Sequence, residues 1–217
     1  MRVHVAESVA STIVLYRGLV GEQAWTRPVS VQLGLQAERL LDGHRQCLPG
    51  AFVELSNWLP ELVGCTAEWI WMVNLSLDDA LRALAHQHGY VWPIPPDRAS
   101  ALPVAMFERA VEAVVDGELD VLEELFHKAP ELGTMTSHFG HRATLLHYVA
   151  ANGVETYRQR VPSNAVAVAE WLVSRGADVA ATASMYGGRQ TALGLVLTSA
   201  HPAEAGLTDE LAKVLSL

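Results

Sequence analysis

Apolar residues in the first hundred positions recur at the spacing of one helix face. The clearest run, with an apolar residue every three or four positions, consists of Val5, Val9, Ile13, Tyr16 and Val20. This period places the five side chains on one side of an α-helix. Further along, Ser76 precedes two acidic residues as an N-cap does, and Gly89 stands where that helix should end. The first hundred residues are therefore predicted to form a series of irregular helices.

Prolines mark the most distinct boundary in the chain. Four of them lie between residues 91 and 103, in "VWPIPPDRASALP". Proline is excluded from a helix interior and also restrains the residue before it, so this stretch should not be helical throughout. We predict a division here, between an N-terminal helical region at residues 1–100 and a second region at residues 101–217.

After Pro103 the chain repeats one order of elements: a helix with an apolar face, a glycine and a second helix. The order occurs in "VAMFERAVEAVVDG" with "ELDVLEELFHKAPEL", in "TLLHYVAANG" with "SNAVAVAEWLVSRGAD", and in "TALGLVLTSAHPAEAG" with "LTDELAKVLSL". A single helix pair cannot bury its apolar face alone, whereas stacked pairs share one core. The fold class predicted from this pattern is all-α.

The helix pairs resemble ankyrin repeats. The residues that carry the resemblance open and close the helices of the second pair and open the third: Thr144, Leu146, His147, Ala150, Ala151, Gly153, Leu172, Gly176, Ala177, Asp178 and Thr191 to Leu193. The preceding "ALAHQHGYVWP" is similar to a segment found before the repeats of many bacterial ankyrin proteins. The resemblance covers about residues 101–217.

The resemblance implies a fold and a function. The expected fold is a helix-pair solenoid of about three repeats, capped by the irregular N-terminal helices. Members of the family usually bind another protein, without a cofactor, through their turns and concave face. His147 is then expected to hydrogen-bond within and between repeat turns, which gives it a structural role.

Three turns depart from the family pattern by being enlarged. Thr144 and Thr191 open successive repeats 47 residues apart, whereas the ankyrin period is about 33 residues. Most of the excess lies between Gly153 and Asn164, with more in "ASMYGGRQ", and "HPAEAG" lengthens the third pair. We expect these turns to be neighbours along one edge of the stack.

The polar and aromatic residues of this edge form the candidate binding site. They are His138, His141, Tyr148, Glu155, Tyr157, Arg158, Tyr186, Arg189 and His201. In one interpretation Arg158 or Arg189 pairs with a partner's carboxylate and the tyrosines supply contact area. In the other, Glu155 and the arginines satisfy one another and hold a long loop in place.

Tryptophans are concentrated in the first half of the chain. Five of the six precede residue 101: Trp25, Trp58, Trp69, Trp71 and Trp92. The first interpretation is a core that caps the repeats, because tryptophans usually fill cores. The alternative is an apolar pocket between this region and the repeats, which would suit a cofactor-independent enzyme acting on a small molecule, such as an isomerase, cyclase or lyase. No catalytic motif identifies residues for such a reaction.

Composition narrows the partners and the compartment. The formal net charge is −9 and basic residues form no run, which argues against nucleic acid. The two cysteines make no CxxC pair, and the apolar opening is too short and interrupted to span a bilayer. His138 and His141 lack further ligands at a suitable spacing, so no metal site is predicted. We expect a cytoplasmic protein that uses no cofactor and binds a protein or an apolar small molecule, with no membrane partner.

Overall fold

The computed structural model describes residues 2–216, which are mostly helical. The first part contains helices α1 (Glu7–Leu15), α2 (Val29–Arg45), α3 (Pro49–Trp58), α4 (Ala67–Met72), α5 (Leu77–Gln87) and α6 (Pro96–Ala99). The second part contains α7 (Ala105–Asp116), α8 (Leu119–Lys128), α9 (Leu145–Val149), α10 (Ala165–Ser174), α11 (Ala192–Thr198), α12 (Ala200–Glu204) and α13 (Thr208–Leu215). The predicted helical class is therefore confirmed.

Four short strands are additions to the predicted all-α pattern. Strand β1 (Val3–His4) pairs antiparallel with β2 (Val161–Pro162), and β3 (Thr182–Met185) pairs antiparallel with β4 (Gly188–Thr191). The first pair joins the beginning of the chain to the polar insert after α9. The second pair is a hairpin in "ASMYGGRQ", where the sequence indicated only an enlarged turn.

Local capping signals in the sequence mark helix ends correctly. The Ser76 hydroxyl accepts a hydrogen bond from the Asp79 amide at 3.2 Å, and the Ser76 amide donates to the Asp79 carboxylate at 2.9 Å, which forms a capping box at the start of α5. Gly117 has φ of 74° and ends α7 in the left-handed region. Both boundaries follow from residues next to them in the chain.

The second part of the chain consists of helices that pack in pairs. Helix α7 packs on α8 and α9, α9 packs on α10 and α11, and α13 packs on both α10 and α11. The β3–β4 hairpin lies between the second and third pairs, with Tyr186 and Gly187 at positive φ in its turn, as a tight two-residue hairpin requires. The apolar core of this part draws on residues 107–215.

His147 connects two turns of this stack. Its Nδ1 accepts a hydrogen bond from the Thr144 amide at 3.1 Å, so its Nε2 carries the proton and donates to the Gln190 carbonyl oxygen at 3.1 Å. Burial lowers the pKa of His147, in keeping with a neutral ring. His147 therefore has a structural role, because it joins its own turn at Thr144 to strand β4 at Gln190.

The N-terminal helices form a second apolar core. Helix α3 lies at its centre and packs on α1, α2 and α5. The buried side chains of this core come from residues 15–90, together with Phe139 and Tyr157 from the second part of the chain. The polar insert therefore contributes directly to the N-terminal core. None of the helices within residues 2–216 is long and apolar enough to cross a membrane.

Gly50 lets α1 and α3 approach closely, which gives a first prediction. A Cβ atom at Gly50 would lie 2.5 Å from the backbone oxygen of Ser11, so α1 and α3 would have to separate. We expect Gly50→Ala to lower the free energy of unfolding by about 1–3 kcal/mol, the usual cost of overpacking. Urea denaturation measures the change.

The control for Gly50→Ala is Gly34→Ala, at a glycine in α2 whose Cβ would meet no atom within 4 Å. There the better helix propensity of alanine should raise the free energy of unfolding by about 0.5–1 kcal/mol. Equal effects at the two sites would show that the close approach of α1 and α3 has no energetic weight.

Candidate functional site

The polar insert after α9 turns inward instead of projecting from the stack. A 3₁₀ turn at Thr156–Arg158 places the Arg158 side chain, which is only 2% exposed, between three carboxylates. Its guanidinium nitrogens lie 2.7 Å from Glu108 Oε2, 2.9 Å from Glu112 Oε1 and 3.0 Å from Glu155 Oε1. Arg158 is thus the centre of a buried ion-pair cluster.

The α7 helix and two tyrosines shape this cluster. Glu108 and Glu112 are four residues apart, so both carboxylates leave the same face of α7. The rings of Tyr148 and Tyr157 lie 5.8 and 5.6 Å from the guanidinium carbon of Arg158. Burial alone would raise the pKa of Glu108, but Arg158 and His138 hold it at about 2. The carboxylate of Glu108 is therefore ionised at neutral pH.

Most of the predicted binding residues are consequently inaccessible to a partner protein. His141, Tyr148, Glu155, Tyr157 and Arg158 are all buried. In the structure the polar groups of these five residues face the ion-pair cluster and the core, so the five side chains do not form an accessible binding surface. The geometry fits the other interpretation, in which Glu155 and the arginines satisfy one another and hold the insert in place.

The two histidines of "SHFGH" lie at the edge of the same cluster. His138 Nδ1 is 3.2 Å from Glu108 Oε1, and His141 Nε2 is 3.9 Å from Glu155 Oε2. Burial lowers the pKa of His141 well below its ordinary value, with His88 and His138 adding to the effect. No set of three His, Cys, Asp or Glu side chains within residues 2–216 is arranged to hold a metal ion.

A cleft separates the N-terminal helices from the β3–β4 hairpin. Its volume is about 770 Å³. Trp58 and Tyr90 line it on the N-terminal side, and Met185 and Tyr186 line it on the hairpin side. Polar groups on its walls come from Asn57, His86, Gln87, Ser184 and Arg189. The cleft therefore combines mainly apolar walls with a small number of polar side chains.

Two aromatic rings face each other across one end of the cleft. Trp58 and Tyr186 are stacked, with their ring centroids 5.9 Å apart and their planes within 11° of parallel. The Tyr186 hydroxyl donates to Asn152 Oδ1 at 2.6 Å, and the Trp58 Nε1 donates to Thr156 Oγ1 at 3.3 Å. Both rings are held by contacts outside the cleft, so their orientation is fixed before any ligand binds.

Three of the predicted site residues lie at or near this cleft. Tyr186 and Arg189 line it, and both are exposed. The His201 Nε2 lies 3.2 Å from Gln159 Oε1, and Gln159 lines a smaller hollow beside Trp58 and Tyr186. The insert, the hairpin and the lengthened turn of the third helix pair are therefore neighbours in space, as predicted.

A buried carboxylate behind the cleft was not among the predicted site residues. Glu54 accepts hydrogen bonds from the Tyr16 hydroxyl at 3.1 Å and from Gln87 Nε2 at 3.0 and 2.8 Å. Its described partners are the neutral side chains of Tyr16, Gln87 and Thr156. Burial raises its pKa from 4.5 to about 7, although these hydrogen bonds oppose the shift. One signal was available in the sequence: Glu54 shares a helical face with Ala51, Leu55 and Trp58.

The tryptophans contact the N-terminal core from its edge: Trp58, Trp71 and Trp92 pack against it while remaining partly exposed. Trp25, Trp58, Trp71 and Trp92 are half-buried, and Trp69 is 56% exposed. The fully buried positions of this core belong mainly to smaller aliphatic side chains such as Leu33, Leu40 and Leu55. A tryptophan also forms one wall of the cleft.

Comparison of the chain with models of protein families, with curated protein sequences and with solved structures finds no match.

Proposed function

We propose that the chain binds an apolar small molecule in the cleft between the N-terminal helices and the β3–β4 hairpin. The observation that carries this proposal is the cleft itself, at about 770 Å³. Small-molecule sites are typically concave, about 300–1,000 Å³ in volume, and lined by apolar and aromatic groups with a few polar ones. The stacked pair of Trp58 and Tyr186 adds a flat aromatic surface at one end.

We further propose that the scaffold of this site is an ankyrin-type stack of three helix pairs. The succession of α7–α8, α9–α10 and α11–α13 supports it, as do the two hydrogen bonds of His147. In this proposal the hairpin before the third pair supplies one wall of the site. The N-terminal helices then have two tasks, because α1 packs on the Thr156–Arg158 turn of the insert, and α3 and α5 supply the opposite wall.

His86 gives the cleft one group suited to proton transfer. Its Nδ1 lies 3.2 Å from the Trp58 carbonyl oxygen, so a proton on Nδ1 is donated there and Nε2 is left as an acceptor. An imidazole in this tautomer is able to accept a proton from a bound ligand. If a reaction takes place in the cleft, we assign His86 as its base. The reaction would then be of the cofactor-independent isomerase, cyclase or lyase class.

A fluorescent probe and two matched tryptophan variants test the proposed site. The probe is 1-anilinonaphthalene-8-sulfonate, which is aromatic and carries one negative charge that Arg189 can pair with at the rim. We expect saturable binding to the wild type, and binding weaker by at least roughly tenfold in Trp58→Ala because a large aromatic wall is lost. Fluorescence titration measures both affinities.

The control is Trp69→Ala, which removes a tryptophan that does not line the cleft and is 56% exposed. It should bind the probe as the wild type does. Urea denaturation of both variants establishes that they remain folded under the titration conditions. Equal probe binding by Trp58→Ala and the wild type would reject the cleft as the site.

A protein partner is the second candidate, and the exposed tip of the hairpin favours it. Tyr186 is 60% exposed and Arg189 is also exposed, so both are available to a partner protein. In the ankyrin family the partner usually binds at such turns and at the concave face. The two candidates differ in their dependence on Trp58, which faces the cleft beneath Tyr186. A partner bound at the hairpin tip should depend on Tyr186 and Arg189 more than on Trp58.

A further inference from the structure

The hairpin wall of the cleft carries an arginine. Arg189 on β4 pairs in register with Ser184 on β3, so both side chains leave the same face of the hairpin. The residues on either side of Ser184, Ala183 and Met185, are buried in the core of the helix pairs, so Ser184 and Arg189 point away from that core. Both are exposed and both line the cleft. The guanidinium of Arg189 therefore lies on the cleft side of the hairpin.

Further positive charge lies next to the cleft. The Ser184 amide donates a hydrogen bond to the His141 carbonyl oxygen at 2.8 Å, and the following residue, Arg142, is exposed. Arg142 and Arg98 line a hollow of about 230 Å³, which shares Tyr90 and its two chain neighbours with the cleft. Burial raises the pKa of Tyr90 to about 12, and the charges of Arg98 and Arg142 oppose this rise. The field of the two arginines therefore reaches the cleft wall at Tyr90.

No carboxylate lines the cleft or this hollow within residues 2–216. Arg189 and Arg142 take part in none of the ion pairs among the same residues, and Arg98 is only 3.7 Å from the exposed aspartate next to it. Glu54 is buried behind Gln87 and does not line the cleft. The chain as a whole has 24 acidic and 15 basic residues. The positive lining of the cleft is therefore opposite in sign to the net charge of the chain.

We infer that the ligand of the cleft is an apolar carboxylic acid, bound as its carboxylate to Arg189. This inference rests on the proposed function and specifies its ligand class. A guanidinium keeps its charge throughout the physiological pH range, and its planar fork binds a carboxylate through two parallel hydrogen bonds. One arginine balances the single negative charge of such a group. The apolar part of the molecule then contacts the walls at Trp58, Tyr90 and Met185.

Naphthoate and naphthamide form the test pair. The two molecules have nearly the same shape, but the first carries a negative charge and the second is neutral. Water solvates a carboxylate more strongly than an amide, so a cleft without a cation would prefer naphthamide. We expect the wild type to bind naphthoate about three- to tenfold more tightly, between the effects of an exposed and a desolvated ion pair. Isothermal titration measures both affinities.

Three variants assign this preference to Arg189. Arg189→Met should lose the preference for naphthoate, whereas Arg189→Lys should keep part of it because the charge remains. The control is Arg45→Met, which changes the net charge equally at a side chain in α2 that is 64% exposed and does not line the cleft. It should keep the full preference. Retention of the full preference in Arg189→Met would overturn the inference.

The wild type alone supplies a second measurement. Raising the salt concentration from roughly 0.02 M to roughly 0.5 M should reduce the preference for naphthoate, because dissolved ions screen a pair at an exposed arginine. A preference that does not change with salt would count against a pair with Arg189. Equal binding of the two molecules, with the anilinonaphthalene probe still dependent on Trp58, would contradict the charge requirement and leave the proposed site standing. Absence of binding by all three molecules would contradict the proposed site itself.

Discussion

Replacement of Arg158 by methionine is expected to lower the free energy of unfolding by about 3–5 kcal/mol, the cost of removing one partner from a buried ion pair. Methionine keeps much of the length of the side chain and removes its charge. The carboxylates of Glu108, Glu112 and Glu155 then remain close together without the cation that now lies 2.7 to 3.0 Å from each of them. Their mutual repulsion and lost hydrogen bonds produce the predicted loss.

Urea denaturation followed by circular dichroism measures this loss, with an unchanged denaturant slope indicating that the folded state keeps its compactness. The control is Arg45→Met in α2, whose ion pair with Asp42 joins side chains that are 64% and 60% exposed. An exposed pair of this kind contributes at most about 1 kcal/mol. Similar losses in the two variants would mean that burial of Arg158 has no special energetic consequence.

Replacement of Glu54 by glutamine should change how the stability of the chain depends on pH. The Glu54 pKa is 4.5 in the unfolded chain and about 7 in the folded one. Between these values the folded state binds more protons than the unfolded state, so the contribution of Glu54 to stability falls as the pH rises. The total change through this window is about 3 kcal/mol, from the conversion of a pKa difference to free energy. Glutamine cannot ionise, so this change of stability with pH should be absent in Glu54→Gln.

The comparison with Glu54→Gln is needed because other buried groups act in the opposite direction. Burial lowers the pKa of His88 from 6.5 to about 3, so His88 makes the folded state less stable as the pH falls below 6.5. Subtracting the variant's unfolding curve from that of the wild type cancels this contribution, since both proteins contain His88. We expect the wild type to lose stability relative to Glu54→Gln from about pH 4.5 to about pH 8. A difference that does not vary with pH would show that Glu54 is not buried as described.

The elements that could be predicted from the sequence are those whose cause is local. Helix α5 begins at Ser76 because its capping partner Asp79 is three residues away, and α7 ends at Gly117 because glycine accepts positive φ. The helix pairs after Pro103 follow from their apolar periodicity. The bonds of His147 were expected from the family resemblance, and its nearest partner, Thr144, is again close in the chain.

The parts that were not predicted depend on contacts between distant residues. Arginine is usually exposed, and nothing near Arg158 in the chain reveals that Glu108 lies 50 residues away beside its guanidinium. Strands β1 and β2 have two residues each, which is too short for a periodic signal. Tyr186 and Arg189 were identified because the enlarged turn is visible in the sequence. Gln87 and Glu54 were not identified from the sequence, because their side chains meet only when α3 and α5 pack together.

The pairing of Val3 with Pro162 makes completion of the fold a late event during synthesis on the ribosome. A chain that emerges from its N-terminus presents α1 to α5 long before the insert exists. At that stage the N-terminal core lacks the Tyr157 and Phe139 side chains, and Glu54 lacks its neighbour Thr156. The exit of the polar insert should therefore coincide with a cooperative gain in resistance of the nascent chain to proteolysis. Contacts of such high sequence separation also slow folding, so the early helices should remain open to chaperones until the insert is in place.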